Sequence, residues 1–557
     1  MKTKAKFLLA AMLAMFIFIS WDSAVKEGDD KENPYPEVPS ATTSASDDLH
    51  QMMWQMGAVY VDLPDKATHY NELILPKLQR FGSDVTWRPS NAENPTGNWT
   101  WATGTSTTWP HVNGTGENLI GKATVTRMPD GFWNNYIQAW EPGGDYFTGA
   151  QFYKPLALHD LSGLTLADWP ARRAELFRGV QEIYGEIPEA ASKQQINWTV
   201  GNIREVTLSW PTFDWECRCM TEGGKPLDNP FKEYTITGEI TNPSGYVARD
   251  TPRITGTLRI PLNWDESKKM PVIIIFGSDE SLWNTMTPAN IAIFNFNNTQ
   301  LQPDAGGQAT SSFLIGLVNE GKWRKPMDWG GLVAWSWGVS RLIDFFESDA
   351  NTTPVDPKYV GVTGHSRYGK ATLIAMAYDQ RVAFSFPSSS GSLGTVQSRR
   401  HVGQEMANTA TDPNEYHWIA GNSLKYVGLH PSSTDGYMPR KVMDMTADAE
   451  SLVALCAPRP IFLGSGRPEG GEAWMDPYGI YLTGATASPI YEFLGKPGLI
   501  MNDVMDYKGK KIPMPEIGKD YIEGYIGYRN HGGGHVAGPN YPAFLTFIQQ
   551  KVLNNQP

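Results

Sequence analysis

The sequence predicts a three-layer α/β fold, a mostly parallel central sheet with helices on both faces, preceded by a tryptophan-rich region of different character. Three observations predict it. Short, near-continuous apolar runs at 272–276, 291–294, 359–363, 382–386, 460–463 and 524–528 alternate with helical segments, as in strands buried on both faces. Ahead of them, 233–240 and 253–260 alternate apolar and polar residues like antiparallel strands. Finally, the run 359–363 enters a glycine-flanked turn and then a helix-forming stretch.

The folded part is expected to begin near residue 161. Asp168 can cap a helix with Pro170 in its first turn, where a missing N–H costs nothing, and Leu176, Val180 and Ile183 then recur at helical spacing. The stretch 330–347 reads as a helix rich in Trp and Leu on one side.

Before residue 161 the pattern is irregular. Lys2, Lys4 and Lys6 precede an apolar run from Phe7 to Ile19, shorter than the roughly 20 residues that span a bilayer, so 1–24 reads as an export signal. Residues 25–50 read as a flexible polar leader. Residues 51–160 form a Trp/Tyr-rich region, with six tryptophans between Trp87 and Trp140. Loop-rich β structure, a decoration packed on the main domain and a sugar-binding module all fit it. The main domain then runs over 161–557.

Composition narrows the partners. A net charge of −12 gives no basic face for neutralising phosphates, which argues against nucleic acid. Aromatic residues are 12% of the chain, compatible with a large aromatic core or with rings that stack on sugars. Cys217, Cys219 and Cys456 are too few for a disulfide framework, and Cys217 with Cys219 cannot fill a four-ligand metal site, so all three read as structural.

The turn after 359–363 is Gly364-His365-Ser366-Arg367-Tyr368-Gly369-Lys370. Strand, sharp turn and helix make a nucleophile elbow, the layout of an α/β-hydrolase. The elbow raises a serine hydroxyl above the sheet, and the helix N-terminus supplies N–H groups for an oxyanion. The second glycine of the usual motif is displaced by one residue, with Tyr368 in its place. A serine nucleophile needs a base near neutral pKa. After the last strand comes His531-Gly532-Gly533-Gly534-His535, a pliable loop able to turn a histidine back over the sheet. His535 is the expected base, with His531 supporting it. The orienting acid should follow the strand at 460–463, where Glu469, Glu472 and Asp476 compete, and Asp476 before Pro477 can instead cap a helix.

Together these residues resemble the glucuronoyl esterases, carbohydrate esterase family 15, and their bacterial members in particular. Gly364, Ser366, Arg367, Gly369 and Lys370 match the motif G-x-S-R-x-G-K, and the segments 329–338, 398–401, 416–418, 457–460 and 533–535 are similar too. The resemblance covers roughly 164 to the C-terminus. It implies cleavage of the ester between a glucuronic acid carboxyl on xylan and a lignin alcohol. It assigns attack to Ser366, oxyanion stabilisation to Arg367, and sugar contacts to Lys370 and Trp418; an N–H near Gly277 is the further oxyanion donor the chemistry would need. A sugar-contacting glutamate falls at Glu405, with Gln404 competing for the register. Ser389 stands where fungal members carry their acid. Bacterial members lacking that acid use one two residues before a tryptophan, which selects Glu472, two before Trp474. The resemblance thus predicts a serine carboxylic ester hydrolase acting on glucuronoxylan and lignin–carbohydrate esters. It would be secreted or periplasmic and monomeric, with no membrane span, metal or organic cofactor. Another carbohydrate esterase, acetyl or feruloyl, and a glycan-binding pseudoenzyme are the alternatives.

Overall fold

Nine strands form one sheet, and six of them lie parallel side by side, so their carboxyl ends share one edge. The computed structural model describes residues 36–55, short strands between 59 and 107, and 156–554 with gaps at 210–212, 215–218, 221–222, 401–403, 405, 407–408, 410–413, 427–444, 469–470 and 501–514. The expected export signal, Cys217, Glu469 and Glu405 lie outside the described residues. No helix among those described is long and apolar enough to cross a membrane.

The strands are β1 (Gln195–Leu208), β2 (Pro226–Thr241), β3 (Arg253–Pro261), β4 (Met270–Phe276), β5 (Ala292–Phe296), β6 (Val355–His365), β7 (Phe384–Ser388), β8 (Ile461–Gly466) and β9 (Ile526–His531). Their order across the sheet is β9-β8-β7-β6-β4-β5-β3-β2-β1. β1, β2 and β3 pair antiparallel and join the parallel part through an antiparallel β3–β5 ladder. Every apolar run named above overlaps a strand, and those at 272–276 and 359–363 lie wholly within one. β1 had no such signal, because it is the edge strand and most of its residues are exposed or half-buried, leaving no apolar run to read.

Seven helices matter for the site: α1 (Ala45–Gln55), α2 (Trp169–Tyr184), α3 (Gly331–Glu347), α4 (Arg367–Tyr378), α5 (Ala449–Cys456), α6 (Pro477–Phe493) and α7 (Tyr541–Ile548). α2 buries Leu176, Val180 and Ile183 as its spacing required. Asp168 makes no side-chain cap to α2. Its carboxylate accepts instead from the Thr165 N–H and Oγ1 at 2.8 and 2.7 Å, tying the preceding turn. α3 differs from the one-sided helix expected. It is buried nearly all round, including Trp335 and Trp337, because it lies inside the main core. Cys456 is free and buried at the end of α5.

Residues 45–50, expected in a flexible leader, belong to α1, where Asp48, Leu49 and Met52 are buried. The apolar members dock on the core and the carboxylate finds hydrogen-bond donors, so a segment of polar composition is ordered by tertiary contact. In the tryptophan-rich region, 59–61 pairs with 72–74, and 85–88, 98–101 and 106–107 form a three-stranded antiparallel sheet.

Candidate active site

β6 ends at His365 and α4 begins at Arg367, leaving Ser366 between them with φ 58° and ψ −125°. A non-glycine residue with positive φ is strained and persists only where its surroundings impose it. Here the Ser366 N–H donates to Ser388 O across the β6–β7 pair at 3.0 Å, and its carbonyl accepts from the Gly369 and Lys370 N–H groups of α4. A Cβ at Gly364 would lie 2.5 Å from Tyr368 O, and one at Gly369 2.6 Å from Ser388 O, so both glycines are required by close approach. The displaced second glycine therefore still lets the elbow pack on β7.

β8 and β9 bring the acid and the base together. His535 Nδ1 donates to Glu472 Oε1 at 2.6 Å, which leaves Nε2 as the base nitrogen. Glu472 is fully buried and its other oxygen has no hydrogen-bond partner among the described residues, so the carboxylate bonds the imidazole alone among them. The two loops fit because of Gly466, where a Cβ would meet Gly534 O at 2.3 Å and Gly533 O at 2.5 Å. Arg467 N–H donates to Gly533 O at 3.0 Å and ties them. Asp476 takes the other role open to it, accepting from the Gly479 N–H as the cap of α6.

The two neighbouring histidines are part of the arrangement. His531 accepts the Gly533 N–H at Nδ1 and so donates from Nε2 to Val536 O, at 2.9 Å each. It shapes the loop rather than touching the acid. The His365 ring lies 4.2 Å from that of His535, next to the nucleophile. Burial, reinforced by the charge His535 can carry, pushes His365 down to about 4. It thus stays neutral beside an imidazole that must become a cation. Sequence reasoning passed over His365 as a motif variable; only its packing reveals the role. His365, Glu472 and His535 each bring one metal-capable atom to within 4.8 Å of the others. The 2.6 Å bond between two of them is the arrangement of a base and its orienting acid.

On the opposite side, Arg367 extends from the first turn of α4. Its Nη1 donates to Asp304 Oδ2 at 2.7 Å and its guanidinium lies over the Trp418 ring, 5.0 Å from the centroid. Asp304 also meets Trp418 Nε1 at 2.6 Å and His417 Nε2 at 3.1 Å. Burial would raise this carboxyl, but the hydrogen bonds from His417, Trp418 and Arg367 hold it at about 2. Asp304 gave no sequence signal: it lies in a loop 62 residues before the nucleophile, 366 minus 304.

Three expected contacts are placed differently. Trp418 is 1% exposed with its N–H on Asp304, so it supports Arg367 and does not face an open mouth. Lys370 is also 1% exposed, and Nζ donates to Ser390 O, Ser392 O and Gln404 Oε1 at 2.5, 2.6 and 2.9 Å. These use all three ammonium donors, and burial pushes the group down to about 7. A sugar hydroxyl would have to displace one of these acceptors. The Gly277 N–H donates to Phe296 O at 2.9 Å and is committed, so a second backbone oxyanion donor has to come from beyond it. Ser389, at the fungal acid's place, is fully buried with an unpartnered Oγ. Trp474, by contrast, is 41% exposed with its ring 4.9 Å from His535, an aromatic surface at the site that sequence reasoning used only as a landmark.

A strained serine between a central parallel strand and a helix, in a sheet of this order, defines an α/β-hydrolase. The comparisons then narrow the class. Residues 247–495 match the fungal glucuronyl esterase family. A carbohydrate esterase, MZ0003, from an unknown prokaryotic organism is 32% identical over 225 residues, 40% of this chain and 45% of that one. A 4-O-methyl-glucuronoyl methylesterase of Podospora anserina is 26% identical over 325 residues, 56% of this chain and 54% of that one. The chain thus spans about half the length of these two curated relatives. A solved glucuronoyl esterase of Teredinibacter turnerae superposes with a TM-score of 0.59 at 26% identity, covering 91% of this chain and 99% of that one. The chain is thus similar to the glucuronoyl esterases, carbohydrate esterase family 15, in sequence over 247–495 and in fold.

Proposed function

We propose that the chain is a serine carboxylic ester hydrolase that cleaves esters of glucuronic acid, with the glucuronoyl group of xylan as acid and a lignin alcohol as leaving group. The observation that carries this is the 2.6 Å bond from His535 to buried Glu472, beside the strained Ser366 and the Arg367 guanidinium. Ser366 Oγ attacks the ester carbonyl while His535 Nε2 takes its proton, and Glu472 stabilises the imidazolium. The tetrahedral oxyanion is met by the Arg367 N–H and guanidinium. Collapse expels the alcohol, which takes the proton from His535. Water, activated by the same histidine, then releases glucuronate and restores Ser366. A guanidinium held by Asp304 beside the nucleophile suits a polar acyl group better than a lipid. Trp474 is assigned to the sugar by its exposure; Lys370, Trp418 and Glu405, with Gln404 competing for its register, keep only the assignment that the resemblance implies. The catalytic unit is assigned to 161–557, and plant-cell-wall polymers outside the cytoplasm are the substrates this reading requires.

The test is hydrolysis of benzyl glucuronate by wild type, Ser366→Ala and His535→Ala. Wild-type turnover, with kcat lowered about 10⁶-fold in either variant, supports the reading. Turnover of acetylated or feruloylated xylan without glucuronate ester turnover refutes the substrate. Failure of Ser366 to react with a fluorophosphonate refutes the hydrolase.

A further inference from the structure

The loops that hold Arg367 are themselves held by α1, which lies outside the family-matched residues 247–495. Asp48 of α1 is 1% exposed and accepts from the Gly307 N–H at 3.1 Å and from Thr310 Oγ1 at 2.6 Å. Just before the helix, Thr43 O accepts from the Gln308 N–H at 3.0 Å. Gly307 has φ +65°, and a Cβ there would meet Thr43 O and the Ser44 carbonyl carbon at 2.6 Å each, so glycine is required twice over. Met52, also fully buried, touches a second loop, since a Cβ at Gly421 would lie 2.1 Å from its Sδ. Asp304 precedes Gly307 by three residues and Trp418 precedes Gly421 by three. These are the two residues that hold the Arg367 guanidinium, one by hydrogen bond and one by its ring face. A helix that only covered apolar surface would have no need of a buried carboxylate, whose desolvation has to be offset by hydrogen bonds. The carboxylate bonds the loop that carries Asp304, and its charge also acts on buried Arg324 and on Tyr416, two residues before Trp418.

We propose that α1 belongs to the electrostatic frame of the active site. Asp48 is a positioning residue that fixes the 304–310 loop and, through Asp304, sets the Arg367 guanidinium against the oxyanion. The inference rests on the reading of Arg367 given above. Residues that act in one network lose energy non-additively, and that separates positioning from folding. In the full chain, Asp48→Ala should lower kcat on benzyl glucuronate about tenfold with KM within twofold. Asp48→Asn, which keeps an acceptor for the Gly307 N–H, should recover part of the loss. In an Arg367→Ala background the Asp48→Ala change should cost less than twofold. An equal loss in both backgrounds, or wild-type kcat in folded Asp48→Ala, overturns the proposal. Should Asp48→Ala fail to fold, Thr310→Val removes one of the two hydrogen bonds and carries the same cycle with an expected threefold loss. Should the wild type turn over no glucuronate ester, the cycle is read from the rate of fluorophosphonate labelling at Ser366. That result would refute the substrate while still deciding the role of α1.

Discussion

The two sides of Ser366 are built in contrasting ways. On one side, the acid and base arrive on the loops after β8 and β9, adjacent parallel strands, and glycines let those loops interlock. On the other, Arg367 is held by Asp304 and Trp418, with His417 bonded to Asp304, from two loops far apart in the chain, with α1 behind them. The first side is local to a sheet edge; the second is a tertiary assembly. On the proposed mechanism, the contrast teaches that proton transfer rests on a short motif on a common scaffold, whereas the charge facing the oxyanion rests on parts that only the complete fold brings together.

The largest expected effect is on the local side. Glu472→Gln should keep the 2.6 Å geometry but remove the charge that stabilises imidazolium, lowering kcat about 10⁴-fold with KM little changed, as steady-state kinetics would read. A loss under tenfold would mean that another acid serves His535. On the tertiary side, Arg367→Ala should lower kcat by about 10²–10³-fold, the scale of one oxyanion donor. Asp304→Asn should lower it about tenfold, through a guanidinium left loosely placed. If Asp304→Asn matched Arg367→Ala, the carboxylate would be acting by more than placement. Trp474→Ala should raise KM for a glucuronate ester about fivefold at nearly constant kcat, the worth of one aromatic contact of about 1 kcal/mol.

A separate effect, on stability and not on turnover, concerns pH. Burial lowers His159 to about 3 and His365 to about 4, both below the ordinary histidine value. The unfolded chain therefore binds protons that the folded chain refuses as pH falls below about 6.5. Each histidine should remove up to about 1.4 kcal/mol of stability per pH unit until its folded pKa is reached. Denaturant midpoints between pH 7 and 4 should fall accordingly, and His159→Gln should flatten the slope. His365 joins this effect to the site, because it is neutral over the same range beside His535.

Much of the fold was legible because parallel strands buried on both faces write themselves as apolar runs, and those at 272–276 and 359–363 lie wholly within observed strands. Ser366 and His535 were legible for a related reason: in this topology they follow particular strands, so chain order stands in for position, whereas it left three acids open and the resemblance singled out Glu472. β1 was not legible, since an edge strand carries no apolar run. Trp418 and Lys370, expected as sugar contacts, lie buried, because type and spacing say nothing about exposure.

By itself, the sequence determined the parallel strands, the elbow that carries Ser366 and the glycine-rich loop that carries His535, since these depend on local periodicity, glycine placement and chain order, while the choice of Glu472 among three acids came from the resemblance. Only the tertiary structure decided that Asp304 holds Arg367, that Trp474 and not Trp418 is exposed, and that Asp48 is buried against the 304–310 loop. Those outcomes depend on which distant segments meet and exclude water, and burial, not residue type, sets what a polar side chain can do.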